Sequence, residues 1–265
     1  DTVIGYTSDD VLSGGAGNDT LTGGDGNDTY MFERGFGRDI INESSGTWGE
    51  LNDQVVFSAG ILPADILLER DGNDLILGVV GTTDEIRIVN QLTSANSASI
   101  LGANRVESIT FADGTVWNAK DVERMLLTGT PTADILTGFD SDDIVDGKGG
   151  NDVLRGGAAN DTYFYSRGHG NDAIIEAVNG GTLDQLVLRD VSSTEVSLFR
   201  EGDHLSLVIA EQPTGSANGS KITVSGQFSG SFSGIEQLVF SDRVVWSAQQ
   251  IAAQAVDVWG PNAIV

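Results

Sequence analysis

Large apolar residues recur along this chain at a fixed interval, each two positions after an aspartate. Val3, Leu12, Leu21, Tyr30 and Ile41 form one series, and Leu136, Val145, Leu154, Tyr163 and Ile174 form a second. The aspartates ahead of them are Asp1, Asp10, Asp19, Asp28 and Asp39, then Asp134, Asp143, Asp152, Asp161 and Asp172; the spacing is nine residues until an insertion at Phe32-Glu33 delays Asp39, and Asp172 is delayed likewise. One apolar residue per nine, set among glycine and polar residues, predicts short strands that each place a side chain in a core and are joined by tight loops. Alternating runs at 74–77 and 206–209 also read as strands. Helical spacing is confined to Asn118–Leu127 and, more weakly, Ser247–Val256, and each is predicted to cover the last layer of its domain.

Each member of the second series lies 133 residues after its counterpart in the first, which marks a tandem duplication. The flanks are copied as well. Val106-Glu107-Ser108-Ile109-Thr110-Phe111-Ala112-Asp113 with Val116-Trp117 matches Ile235-Glu236-Gln237-Leu238-Val239-Phe240-Ser241-Asp242 with Val245-Trp246. Two homologous domains are predicted, 1–129 and 130–265, each of ordinary size and able to bury a core.

The loops carry the chemistry. Gly14-Gly15-Ala16-Gly17-Asn18-Asp19 is followed at once by Gly23-Gly24-Asp25-Gly26-Asn27-Asp28, and Gly147, Gly149, Gly156 and Gly157 occupy the second array. Glycine permits backbone with positive φ and exposes carbonyl oxygens, while the aspartate adds a hard anionic oxygen, so each turn supplies half of a cation site. The net charge of −25, from 39 acidic and 14 basic residues, points the same way: it disfavours nucleic acid and anionic membrane surfaces and favours cations. Stacked carboxylates repel until a divalent ion lies between them, so folding and metal binding are expected to be one equilibrium. The absence of cysteine removes disulfide, zinc-thiolate and cysteine-nucleophile chemistry. No apolar run reaches the length of a membrane span, which predicts a soluble chain, and Asp1 falls inside a repeat, as it would in a piece of a longer protein.

The repeat G-G-x-G-x-D-x-U-x, with U a large apolar residue, resembles the RTX, haemolysin-type calcium-binding nonapeptide. The segments after it, Asn27-Asp28-Thr29-Tyr30-Met31-Phe32 with Arg34-Gly35-Phe36-Gly37-Arg38-Asp39 and Asn160-Asp161-Thr162-Tyr163-Phe164 with Arg167-Gly168-His169-Gly170-Asn171-Asp172, look like the flanking blocks of RTX toxins such as adenylate cyclase toxin. The resemblance implies an all-β fold of two tandem parallel β-rolls, each with a β-rich flank and a short C-terminal capping helix. It also implies calcium-driven folding outside a bacterial cell and export by a type I secretion system. In such a roll two nonapeptides make one turn, so Asp1 with Asp19, Asp10 with Asp28, Asp19 with Asp39, Asp134 with Asp152, Asp143 with Asp161, and Asp152 with Asp172 would share ions, about three per domain. Weaker sites are expected where Tyr6, Thr7 and Ser8, Pro131 and Ala133, or Ala159 interrupt the glycine pattern.

The function expected is a calcium-folded, non-enzymatic segment of a larger secreted bacterial protein, supporting export and extracellular folding. Two alternatives stay open: a toxin or adhesin module that binds a host-cell or matrix surface, and an accessory domain of a secreted enzyme. A phosphate cradle in the glycine-rich runs is disfavoured, because an aspartate sits where a phosphate needs positive charge. Asp142 and Asp143 could form a glycosidase pair, but calcium ligation or solvation fits such an acidic chain better. His169 and His204 align with Phe36 and Asp74 of the other copy and are read as structural. Trp117 and Trp246 read as core anchors, Trp48 and Trp259 as exposed contacts, and Arg34 and Arg167 as partners of nearby acids.

Overall fold

The computed structural model describes residues 1–43, 52–92, 105–178, 180–213, 219–230 and 234–258, so Trp48 and Trp259 lie outside the described residues. Packing divides the chain into two compact units, Asp1–Leu126 and Leu127–Val265.

In the first unit Thr2–Tyr6, Thr20–Gly24 and Arg38–Ile41 lie side by side in one sheet, while Val11–Leu12, Thr29–Phe32 and Gln54–Phe57 lie in another. Successive strands therefore alternate between two parallel sheets, which is a parallel β-roll with two strands per turn. The register pairs Val3 with Leu21, Leu12 with Tyr30, Leu21 with Ile41 and Tyr30 with Val55, so the apolar residue of every repeat stacks on its equivalent one turn away. The second unit repeats this arrangement: Leu136 pairs with Leu154 and Leu154 with Ile174 in one sheet, Val145 with Tyr163 and Tyr163 with Leu186 in the other. Of the ten apolar positions of the two series all are buried except Val3, which is half-exposed on the first strand.

The flanks extend the same sheets. Glu85–Ile88 adds in parallel to Arg38–Ile41 and is followed by the antiparallel strands Asp74–Val79 and Ile66–Asp71. In the second unit Ser220–Ser225, His204–Ile209 and Val196–Glu201 take these places. The other sheets end in Ser108–Thr110 with Val116–Asn118 and in Gln237–Val239 with Val245–Ser247. Trp117 and Trp246 stand on these last strands with their rings edge-on to Phe111 and Phe240, at 4.6 and 4.5 Å between centroids. Both are half-buried, so they cover the end of the core rather than anchor its middle.

The helices are Ala119–Leu126 and Ala248–Gln254. Each starts on a polar cap that satisfies free amides of the first turn: Asn118 Oδ1 accepts from the Asp121 amide, and Ser247 Oγ accepts from the Gln250 amide. Val122 and Ile251 are their buried residues. Among the described residues no helix is long and apolar enough to cross a membrane.

The packing boundary falls between Leu126 and Leu127, three residues ahead of the position that sequence matching suggests. Leu127 is buried, its carbonyl accepts from the Asp146 amide, and the Gly129 amide donates to the Asp146 carbonyl, so 127–129 belongs to the first turn of the second roll. A fragment 127–265 is expected to fold with calcium and to be more stable than 130–265 by about 2–5 kcal/mol, the scale of losing one buried leucine. Thermal melts of the two fragments in calcium check this, and equal melting would remove Leu127 from the second core.

Candidate metal centre

Each loop places its aspartate where two neighbours compete for it. The Asp10 amide donates to Asp28 Oδ1 at 2.8 Å and the Asp19 amide to Asp39 Oδ1 at 2.9 Å, while the Asp1 nitrogen reaches Asp19 Oδ1. In the second unit the amides of Asp134, Asp143 and Asp152 donate to Oδ1 of Asp152, Asp161 and Asp172 at 2.9, 2.9 and 3.0 Å. All six expected pairs are thus brought together, five of them bridged by one carboxylate oxygen and one backbone amide and the Asp1–Asp19 pair by the terminal amino group of Asp1. The other oxygen is left over. Oδ2 of Asp10, Asp19, Asp28, Asp39, Asp152 and Asp161 is buried without a hydrogen-bond partner, a costly state for a carboxylate and the feature that fits a bound cation.

That second oxygen also explains the leading glycine of each loop. A Cβ on Gly14, Gly23, Gly147 or Gly156 would stand 2.5, 2.1, 2.3 or 2.2 Å from Oδ2 of its own loop's aspartate, so the requirement is for space. The fourth loop position needs glycine for its backbone. Gly17, Gly26 and Gly150 have φ of 144°, 136° and 127°, which makes Gly150, rather than Gly149, the counterpart of Gly17 in the second array. Asn at the fifth position adds an outer ladder: Asn18 Oδ1 accepts from the Arg38 amide and Asn151 Oδ1 from the Asn171 amide.

Two interrupted loops behave differently, while the Asp10 loop keeps its Oδ2 buried without a partner despite Tyr6, Thr7 and Ser8. Beside Pro131 and Ala133, Asp134 Oδ2 accepts from the Thr130 amide and hydroxyl at 2.6 and 2.9 Å. Asp143 Oδ2 accepts from the amide of Phe139, which stands at the second glycine position. Protein donors take the oxygens there that a cation would use. Asp142 accepts from the Asn160 amide, which makes Asp142 and Asp143 members of the ladders.

The ladders run past the repeats, to residues the spacing rule misses. The Asp28 amide donates to Asp53 Oδ1 and the Asp53 amide to Glu107 Oε2; in the copy the Asp161 amide donates to Asp184 Oδ1 and the Asp184 amide to Glu236 Oε2. Asp84 extends the other column of the first unit, accepting from the Gly35 and Gly37 amides. Conservation of Glu107 and Glu236 between the two copies was the available signal.

Burial, with repulsion from neighbouring acids, pushes these groups above the ordinary carboxylate range. Asp39 and Asp53 rise to about 6, Glu107 to about 7 and Glu43 to about 8. In the second unit Asp184 rises to about 6, Asp172 and Glu176 to about 7 and Asp161 to about 8. Asp146 is the contrast: burial pushes it up too, but hydrogen bonds and charge from Lys148, with Arg189, outweigh this and hold it low.

The remaining candidates have structural partners. Arg34 pairs with Asp65 at 3.1 Å and donates to the Gly60 carbonyl, and Arg167 pairs with Glu195 at 3.1 Å and donates to the Ala210 carbonyl. His169 packs on Tyr165 as Phe36 packs on Phe32, and burial lowers its pKa. His204 Nδ1 accepts from the Gly226 amide.

Comparison with known families agrees with this geometry. Residues 1–30, 126–154 and 137–172 match the RTX calcium-binding nonapeptide repeat, and residues 74–121 and 216–250 match the haemolysin-type calcium binding protein related domain. The repeats are RTX nonapeptides, a calcium-binding unit. A comparison with curated protein sequences gave no match. Among solved structures the chain is similar to the extracellular lipase LipA from Serratia marcescens, at 17% identity and a TM-score of 0.29, over 98% of this chain. It spans 40% of the length of that lipase chain.

Ala159 stands at a fourth loop position with φ of 69°. Left-handed backbone costs a non-glycine residue roughly 1–2 kcal/mol, part of which glycine returns as extra freedom in the unfolded chain. Ala159→Gly is therefore expected to stabilise the calcium-loaded second unit by about 0.5–1 kcal/mol in denaturant titrations; destabilisation would show the Ala159 side chain to be a needed contact.

The raised pKa values set a pH dependence. Carboxyls that titrate higher folded than unfolded contribute stability below about pH 4 that is lost as pH rises through about 6 to 8, so the calcium-free fold should be weakest at neutral pH and above. Calcium displaces these protons, so its affinity should rise between pH 6 and pH 8 by roughly tenfold per pH unit for each proton displaced. Calorimetric titrations in buffers of different ionisation enthalpy measure the protons released. Binding that is independent of pH with no release would contradict the assigned shifts.

Proposed function

We propose that this chain is a calcium-folded, non-enzymatic segment of a larger secreted bacterial protein, which stays loosely folded in low calcium and closes into its rolls on reaching roughly millimolar calcium outside the cell. The observation that carries this reading is the row of buried carboxylate oxygens without partners, Oδ2 of Asp10, Asp19, Asp28, Asp39, Asp152 and Asp161. Calcium supplies the missing charge, taking Oδ2 from the aspartate of a loop together with loop carbonyls that the glycines leave open. Export through a type I secretion system fits a chain that remains extended until it meets calcium. Neither unit repeats a nucleophile and base of the other; His169 packs its ring on Tyr165 and His204 Nδ1 accepts from the Gly226 amide.

Circular dichroism in chelator and then in calcium tests the coupling of folding to the ion. A disordered spectrum converting to a β-rich one is expected, and a β-rich spectrum indifferent to calcium would sink the proposal. The sharing of ions is tested within the second unit. Asp152 accepts from the Asp134 amide and donates its own amide to Asp172, whereas Asp134 is already satisfied by Thr130. Asp152→Ala should weaken two sites in calorimetric titration and Asp134→Ala at most one. Equal losses would mean that neighbouring turns do not share ions.

A further inference from the structure

The loop that closes each roll departs from the repeat in the same way in both copies. The register that sets Leu21 beside Ile41, and Leu154 beside Ile174, puts Glu43 and Glu176 one turn beyond Gly23 and Gly156. A side chain is excluded at those glycines because the aspartate five positions later folds over them. In the closing loops the aspartate comes later, ten positions after Glu43 at Asp53 and eight after Glu176 at Asp184, and the constraint is lifted. The glutamate turns inward.

Two clusters of three carboxylates result, Asp28 with Glu43 and Asp53, and Asp161 with Glu176 and Asp184, each offering oxygens within 4.8 Å of one another. Every member is at most 6% exposed. In the first cluster Asp28 Oδ2, Glu43 Oε1 and Asp53 Oδ2 are buried without hydrogen-bond partners, as are Asp161 Oδ2 and Glu176 Oε2 in the second. Among the described residues no lysine or arginine forms an ion pair with any of the six. Tyr163 donates its hydroxyl to Glu176, and the equivalent Tyr30 hydroxyl accepts from the Gly23 amide.

We propose that each cluster is a dedicated calcium site, built from three side-chain carboxylates rather than from loop carbonyls, which locks the flank onto the end of its roll. The proposal rests on the calcium-binding reading above and extends it to residues outside the nonapeptides. Three buried carboxylates with unpartnered oxygens are satisfied by a cation, and an all-oxygen set selects a hard one. Three oxygens spread evenly around one ion at about 2.4 Å, the calcium distance, stand up to about 4.2 Å apart, so small side-chain movements bring oxygens already within 4.8 Å of one another onto one calcium ion, whereas magnesium at about 2.0–2.1 Å requires a tighter shell. Coupling to the flank is direct, because the amides of Asp53 and Asp184 donate to Glu107 and Glu236 at 2.6 Å. An ion that fixes Asp53 or Asp184 therefore fixes the edge from which the last strands start.

The test counts ions in the full chain. Glu43→Gln and Glu176→Gln keep the shape of the side chain and remove its charge; native mass spectrometry in limiting calcium should show one tightly held ion lost in each and two in the double variant, with the weaker loop sites still filling. An unchanged count would overturn the proposal. Should a variant fail to fold at any calcium concentration, a crystal of the unaltered chain soaked in terbium decides, through anomalous peaks bridging the three carboxylates of each cluster. Filled loops with both clusters empty would overturn this inference alone, while a chain that takes up no ion at all would overturn the calcium reading with it.

Discussion

A column of like charges, buried and evenly spaced, is the constraint around which the rest of this protein is arranged. Each ladder carboxylate spends one oxygen on the amide of the neighbouring turn, and that bond sets the rise from turn to turn. The other oxygen is turned back over the first glycine of its own loop. The apolar residue two positions on then points into the core and stacks on its equivalent. Core and cation site are two faces of one repeat, and neither can be shifted without the other.

Asp146 shows what such a carboxylate does when the protein provides its own cation. It is as buried as the ladder aspartates, yet Lys148 and Arg189 lie 2.8 and 3.0 Å away and hold it ionised. Asp134 and Asp143 illustrate a second solution, in which amide and hydroxyl groups of the same loop take up the spare oxygen. The intact loops have neither. Their neighbours are other acids, and charge balance must come from outside the chain.

The flanks are tied to the rolls by bonds that recur in both copies. Arg34 reaches Asp65 and Arg167 reaches Glu195, so each clips the end of its roll to the start of the antiparallel hairpin. Glu107 and Glu236 continue the inner ladder into the last parallel strand. The helices then close the layer left open by that strand, with Val122 or Ile251 as the buried contact. Differences between the copies fall where the ladder tolerates them: Phe36 becomes His169 and Gly15 becomes Lys148, while the aspartates and the inward apolar residues persist.

The repeat of aspartate, glycine and apolar residue was enough to determine the short strands, the inward apolar residues and the duplication, because those depend on equivalent positions of a periodic sequence, whereas the roll with two strands per turn and the six aspartate pairs were expected only through the resemblance to the RTX nonapeptide. The helix positions were legible to within about two residues from spacing. What only the tertiary structure decided lies where the period breaks. Glu43, Asp53, Glu176 and Asp184 belong to no nonapeptide, and their separations in sequence, ten and eight residues, follow no period. Whether a given aspartate is left with a free oxygen likewise depends on which neighbour reaches it, Thr130 for Asp134 and Phe139 for Asp143; the interruption at Pro131 and Ala133 marked the first of these loops, but the glycine pattern does not show which donor takes the oxygen. The boundary near Leu127 was decided the same way, by the backbone hydrogen bonds that tie Leu127 and Gly129 to Asp146 in the second roll.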